Sequence, residues 1–434
     1  MLQNVIAGLQ GLIDHVLVGH LLGYQANAAI GVSWQMFLVV IVFMASLFTG
    51  QAVLVARFVG AGDVDRVNRT VQQALLTALA MFAVLAPIGY FSAPLLLDFA
   101  NVSPSVRELA LPFLRINFTF SIGMMLFFML TSALRAAGDA RTPMRLGVMM
   151  TILNVVLNLI LIPGLGPIPA LGTTGSALGT VIASSAVSAF ALYQLLKGRL
   201  VIKLSRHMDW RPDWTIIRSL FRFGLPTGVQ GIAMNVAGVM LLRFIGSLEQ
   251  SAEAQGAYAI GYTELFSLIT WTSVGLMGAA ATIAGQNLGA GQPERAIEGV
   301  RTASRIGLAV AGGVGASFVL IPGPLLGLFG ANDPAVAIIG RDLLRYLAVS
   351  GFFITLALTY TGGLQGTGDT KSPLVITLAS QIAVPIGMCA LIQATRQLQP
   401  GDIWLAIVLG HFTRCVLTVA RFRQGKWRSI SVVH

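Results

Sequence analysis

One carboxylate in an apolar run stands out as able to do chemistry. It is Asp14, in Gly11-Leu12-Ile13-Asp14-His15-Val16-Leu17-Val18-Gly19. The run from Met1 to Leu22 is long enough to cross a bilayer, which takes about 20 residues. At about 1.5 Å per residue, Asp14 lies roughly 20 Å along that helix from Met1, past the middle of the crossing. An unpaired charge there costs several kcal/mol, so the group must be protonated, paired or ion-bound. Burial favours the proton and a bound cation opposes it, and this competition can couple a gradient to movement without any covalent step. A carboxylate paired only for packing is the other reading. Asn154 and Asn158 are four apart, hence on one helix face, with amide oxygens that could face a cation or simply bond between helices. Glu264, near the far-side end of the eighth apolar segment, is the only acid placed well inside the second lobe of helices.

The elements that position these groups follow from composition. The chain has 434 residues, 55% hydrophobic and 10% charged, which describes an integral membrane protein. The net charge of +11 then reflects loop bias rather than nucleic-acid binding. Cys389 and Cys415 have no paired spacing and are expected to pack, with no disulfide or metal site. No His, Ser or acidic cluster has the spacing of an enzyme site, so no catalytic residues, cofactor or metal are expected. The first run carries Asp14 and no basic n-region, which argues for a span rather than a cleaved signal.

Twelve apolar segments can be counted, near 2–22, 30–56, 71–97, 112–134, 146–163, 176–196, 223–245, 258–284, 302–322, 343–364, 373–394 and 402–422. Unalternated runs of this length are helices in lipid. Loops and tail on the side of the N-terminus hold 21 of the 28 Lys and Arg residues. The positive-inside rule puts both termini in the cytoplasm of a cell-membrane protein.

The chain also repeats itself. Leu134-Arg-Ala-Ala-Gly-Asp-Ala-Arg-Thr-Pro143 returns as Leu364-Gln-Gly-Thr-Gly-Asp-Thr-Lys-Ser-Pro373, at an offset of 230 residues. Gly60-Ala-Gly62 returns as Gly289-Ala-Gly291, and Gly8-Leu-Gln-Gly11 as Gly228-Val-Gln-Gly231. The expected organisation is two six-helix lobes, 1–196 and 223–434, in parallel orientation about a central cleft. Between them lies a basic linker, 197–222, with Trp210 and Trp214 suited to the headgroup level. The Gly-Asp turns at Gly138-Asp139 and Gly368-Asp369 read as structural hinges or cytoplasmic gates, their Asp capping the next helix.

The Gly-Leu-Ile-Asp14 motif, the Gly-Ala-Gly pairs, the two Gly-Asp-x-[Arg/Lys]-[Thr/Ser]-Pro turns, Leu153-Asn154-Val-Val-Leu157-Asn158 and Gly175-Ser-Ala-Leu-Gly-Thr180 run in order through both halves. Together they resemble the multidrug and toxic compound extrusion (MATE) family. The resemblance implies a twelve-helix, two-lobe secondary antiporter that exports organic, often cationic, compounds against protons or sodium. It implies a coupling site in the N-terminal lobe formed by Asp14, Asn154, Asn158 and Thr180. Some members have a second carboxylate where Asn158 stands, which bears on sodium binding. The family's first helix usually starts earlier, so the resemblance implies residues missing before Met1.

Other polar groups are candidates for a substrate cleft. Trp34 is the repeat partner of Glu264, and an aromatic wall opposite an anionic one suits an organic cation. Glu264 beside Tyr258 and Tyr262 can equally be an interfacial residue. Gln35, Gln51 and Tyr262 are further cleft candidates. Met124, with Met125, Met129, Met149 and Met150, suits either an adaptable pocket or ordinary packing. His411 reads as isolated. The expected partners are small organic molecules and membrane lipids, with the chain acting as a monomer. The alternative within transporters is a lipid-linked oligosaccharide flippase of related architecture, which would need several basic residues in its cleft.

Overall fold

The computed structural model describes residues 22, 24–99, 102–204, 209–329 and 333–432. Asp14, and the whole of the first apolar run up to residue 21, lie outside the described residues. The described chain is nearly all helix: α1 (Tyr24–Gly60), α2 (Val64–Phe99), α3 (Pro104–Thr119), α4 (Ile122–Ala136), α5 (Arg141–Leu161), α6 (Gly172–Leu196) and α7 (Trp214–Gly246). Then come α8 (Ser251–Tyr258), a π-helical turn (Ala259–Leu265), α9 (Ser267–Gly289), α10 (Pro293–Leu320), α11 (Pro322–Leu328) and α12 (Pro334–Gly366). The last are α13 (Lys371–Thr377), a second π-helical turn (Leu378–Ala383), α14 (Val384–Thr395) and α15 (Pro400–Arg423). Among the described residues ten helices are long and apolar enough to cross a membrane, and α3 with α4 forms an eleventh crossing bent by 51°. The protein is therefore multi-pass, and the described crossings fall on the second to twelfth expected segments.

The chain divides into two compact units at Gly228, inside α7, rather than in the loop before it. The basic segment expected to end at Arg222 is already helical from Trp214. Its earlier part is held to the start of α2. Gln73 accepts from the Asp213 amide at 2.9 Å and donates to the Arg211 carbonyl at 2.9 Å. Asn68 accepts from the Lys203 amide at 3.0 Å, and Arg69 donates to the carbonyls of Asp209 and Arg211. Trp210 and Trp214 are exposed.

The repeated motifs fold alike. Gly62 and Gly291 end α1 and α9 at φ +72° and +71°, and Gly138 and Gly368 end α4 and α12 at φ +92° and +97°. Only glycine enters that region without strain. Asp139 accepts from the amides of Arg141 and Thr142, at 3.0 and 2.9 Å, and caps α5. Asp369 caps α13 through the Ser372 amide at 3.2 Å, and its carboxylate also pairs with Arg421 of α15 at 2.8 Å.

Within the N-terminal unit α1 packs on α3 and α4, α4 on α6, and α5 on α6. Within the C-terminal unit α12 is central, with α9, α10 and α15 around it. Its core is Leu343, Leu344, Leu347, Phe266, Phe318 and Trp404, all closed to solvent. Cys389 and Cys415 are both buried and free.

Candidate functional site

In the N-terminal unit the two asparagines meet the sixth span. Small residues set the distance between α5 and α6. A Cβ on Gly175 would lie 2.6 Å from the Leu161 carbonyl oxygen, and one on Gly179 would overlap the Asn158 amide oxygen. This close approach is what the Gly175-Ser-Ala-Leu-Gly-Thr180 spacing provides, since residues four apart share a face. Across the contact the Asn154 amide donates to the Thr180 hydroxyl at 3.2 Å, and Asn158 donates to the Asn154 oxygen at 3.5 Å. Thr180 in turn donates to the Ser176 carbonyl at 3.2 Å. Both asparagines are 0% exposed. Burying two amides is costly unless their polar atoms are engaged, so a buried amide chain marks a place that recognises something polar or holds helices in register. The oxygens are neutral acceptors, the ligand type that a proton-carrying or cationic group requires.

The other candidates are spread more widely. Trp34 is 37% exposed and contacts Phe37, with ring centroids 6.1 Å apart. Gln35 is exposed. Gln51 is fully buried in α1, and both its amide atoms lack a partner among the described residues. Met124, Met125 and Met129 lie in the core, whereas Met149 faces outward on α5, where it shares an apolar groove with Ile152 and Val156. Glu264 is half-buried and belongs to the first π-helical turn. Tyr262 packs through its ring: it stacks on Tyr258 at 4.9 Å and tilts against Phe266 at 5.4 Å.

Reading His411 as isolated is corrected by the structure. Its Nδ1 is hydrogen-bonded to the Ser350 hydroxyl, and its ring stacks on Phe266 at 5.9 Å. One turn later on the same helix, Arg414 is 4% exposed. Neither contact is visible in local sequence, because each joins spans far apart in the chain. The signal that was available is the four-residue spacing of Tyr258, Tyr262 and Phe266 beside a span holding both His411 and Arg414.

The MatE family model matches residues 1–160 and 226–391, covering both repeats. The chain belongs to the MATE family. It is 26% identical over 431 residues to the protein named "Probable multidrug resistance protein NorM" of Thermotoga maritima, spanning 99% of this chain and 91% of that one. It is also 26% identical over 443 residues to "Multidrug resistance protein PmpM" of Pseudomonas aeruginosa, spanning 99% and 90%. Among solved structures, an outward-facing multidrug resistance MATE family transporter of the MOP superfamily superposes with a TM-score of 0.90 at 21% identity. That superposition covers 99% of this chain and 95% of the other. MATE membership makes the two-repeat helical membrane fold a property of the whole chain and places it among transporters.

Proposed function

We propose that this MATE protein is a secondary antiporter of the cell membrane, with both termini cytoplasmic, that exports organic and often cationic compounds in exchange for protons or sodium. Multidrug resistance is the property named for its relatives. The observation that carries the reading is the buried Asn154–Asn158–Thr180 chain, which offers neutral oxygens inside an apolar helix pair. Asp14, in the first apolar run, supplies the exchangeable charge. Its carboxyl alternates between a proton or sodium ion and the substrate's influence as the protein alternates its access. The protein works as a monomer in lipid.

The test is dye efflux from reconstituted vesicles, driven first by an imposed pH gradient and then by an imposed sodium gradient. Whichever ion drives the wild type, Asp14→Asn is expected to abolish driven export at unchanged protein content. Driven export retained in that variant would remove Asp14 from the mechanism.

A further inference from the structure

The C-terminal unit carries a buried cation that the coupling site does not use. Arg414 is the fifteenth residue of α15, roughly 21 Å from the start of that helix and roughly 14 Å from its end at about 1.5 Å per residue. Its stem is too short to bring the guanidinium from that depth to either interface. The guanidinium stays protonated in any protein setting. A charge held this deep marks a functional position by default, and its counter-ion is the first thing to identify.

No counter-ion is found among the described residues. Asp402, earlier on the same helix, is bonded to Arg396 at 2.6 Å, and Asp369, in the turn after α12, to Arg421 at 2.8 Å. Asp342 of the adjacent α12 makes no ion pair with Arg414. Glu264 makes no ion pair with Arg414. The Phe266 ring ties Tyr262 to His411, one turn before Arg414, with centroid distances of 5.4 and 5.9 Å, and His411 is occupied by Ser350. The Arg414 Nε–H is buried without an acceptor, and so is the hydroxyl of Thr418, one turn further along the same buried face. Thr418 is 0% exposed. Arginine, threonine and tyrosine all have a proton to donate, and what the cluster lacks is a negatively charged acceptor.

The other half of the molecule sharpens the point. At the repeat offset, Arg414 corresponds to Ser184, and His411 to Val181. The charge is therefore a feature of one repeat and not of the shared frame.

We propose that Arg414, with Thr418 and Tyr262, forms a carboxylate-binding site in the C-terminal unit that takes the anionic end of an organic substrate. The planar guanidinium matches a carboxylate with two parallel hydrogen bonds, and the hydroxyls complete the shell. The Nε–H is closed to solvent in this conformation, so the site is filled in another one. The π-helical turn that carries Tyr262 is the element fit to rearrange, since such turns store an extra residue inside a helix. This assignment rests on the organic-substrate reading above and narrows it to compounds that carry a carboxylate, zwitterions included.

A matched pair of dyes tests it. Rhodamine 19 has a free carboxylate, and rhodamine 6G is its ethyl ester. Equilibrium binding to the purified full chain, by fluorescence polarisation and with no gradient, separates recognition from coupling. Arg414→Gln is expected to weaken rhodamine 19 at least ten-fold and rhodamine 6G less than two-fold. Arg414→Lys should fall between, and Thr418→Val, which preserves volume, should weaken rhodamine 19 alone by about three-fold. Equal losses for both dyes, or none for either, overturn the site, and Thr418→Val decides between these outcomes if the Arg414 variants do not fold. Wild-type protein that binds only rhodamine 6G overturns the carboxylate site while leaving the organic-substrate reading intact. Wild-type protein that binds neither dye overturns both.

Discussion

The two units share a frame and differ in what they place inside it. In the N-terminal unit, α5 and α6 enclose Asn154, Asn158 and Thr180. At the repeat offset the C-terminal unit has Val384, Met388 and Gly410 instead. Conversely, it holds His411 and Arg414 where the first unit has Val181 and Ser184. The irregularities are also exchanged. The fourth span bends by 51° between α3 and α4, whereas its counterpart α12 runs unbroken over 33 residues. The second span is continuous in α1, whereas its counterpart carries the π-helical turn Ala259–Leu265. Duplication conserves turns and crossings, which any membrane bundle needs. These two buried polar clusters, which a bundle gains nothing from repeating, have diverged into a neutral amide chain on one side and a charged donor on the other.

The same crossing is built in two ways, and this gives the largest expected effect. In the N-terminal unit the Ser132 hydroxyl of α4 bonds to the Phe48 carbonyl of α1 at 2.9 Å. At the equivalent point Gly362 of α12 lies against Met277 of α9, so close that a Cβ would overlap the Met277 carbonyl oxygen. Gly362→Ala should therefore cost about 3 kcal/mol or more, because backbone cannot yield as a side chain does. Ser132→Ala should cost about 1 kcal/mol, one hydrogen bond. Thermal stability followed by fluorescence-detected size exclusion checks the pair, and equal shifts would mean the two crossings are equivalent after all.

A second contrast concerns function more than stability. Gly179→Ala inserts a methyl group where the Asn158 amide oxygen sits and should lower gradient-driven transport at least ten-fold, at a stability cost of about 1–3 kcal/mol. The counterpart Leu409 is exposed, and Leu409→Ala should leave transport within two-fold. Transport rates normalised to protein in the vesicles decide this.

The smallest effect separates the two Gly-Asp turns. Both aspartates cap a helix, but only Asp369 pairs with an arginine, because the residue equivalent to Arg421 is Ala191. Asp369→Asn should cost about 1 kcal/mol, since Arg421 is partly exposed and the pair is screened. Asp139→Asn should cost a few tenths, because asparagine caps nearly as well. A double-mutant cycle of Asp369 and Arg421 measures the difference.

Much of this frame is legible in sequence. Lengths of apolar run, Gly-Asp turns and the offset of 230 residues fix spans and repeats, because backbone satisfaction in lipid leaves helices as the option. The amide pair is legible for the same reason: residues four apart share a face. The breaks are not. The bend at 120–121 and the two π-helical turns depend on neighbours brought together only by folding. The bond from Ser350 to His411 joins residues 61 apart, and local spacing gives no hint of it. In sequence Arg414 is one of a few embedded arginines, and only the fold shows that no acid pairs with it among the described residues.

The most direct test of the coupling account compares equivalent residues in the two units. Initial rates of gradient-driven dye efflux should be measured in vesicles carrying wild type, Asn158→Leu or Met388→Leu at equal protein content. Asn158→Leu keeps the volume and removes the amide, so driven efflux is expected to fall at least ten-fold, whereas Met388→Leu should stay within two-fold of wild type. Driven efflux that survives in Asn158→Leu, or falls equally in both variants, would contradict the assignment of ion coupling to the N-terminal amide chain.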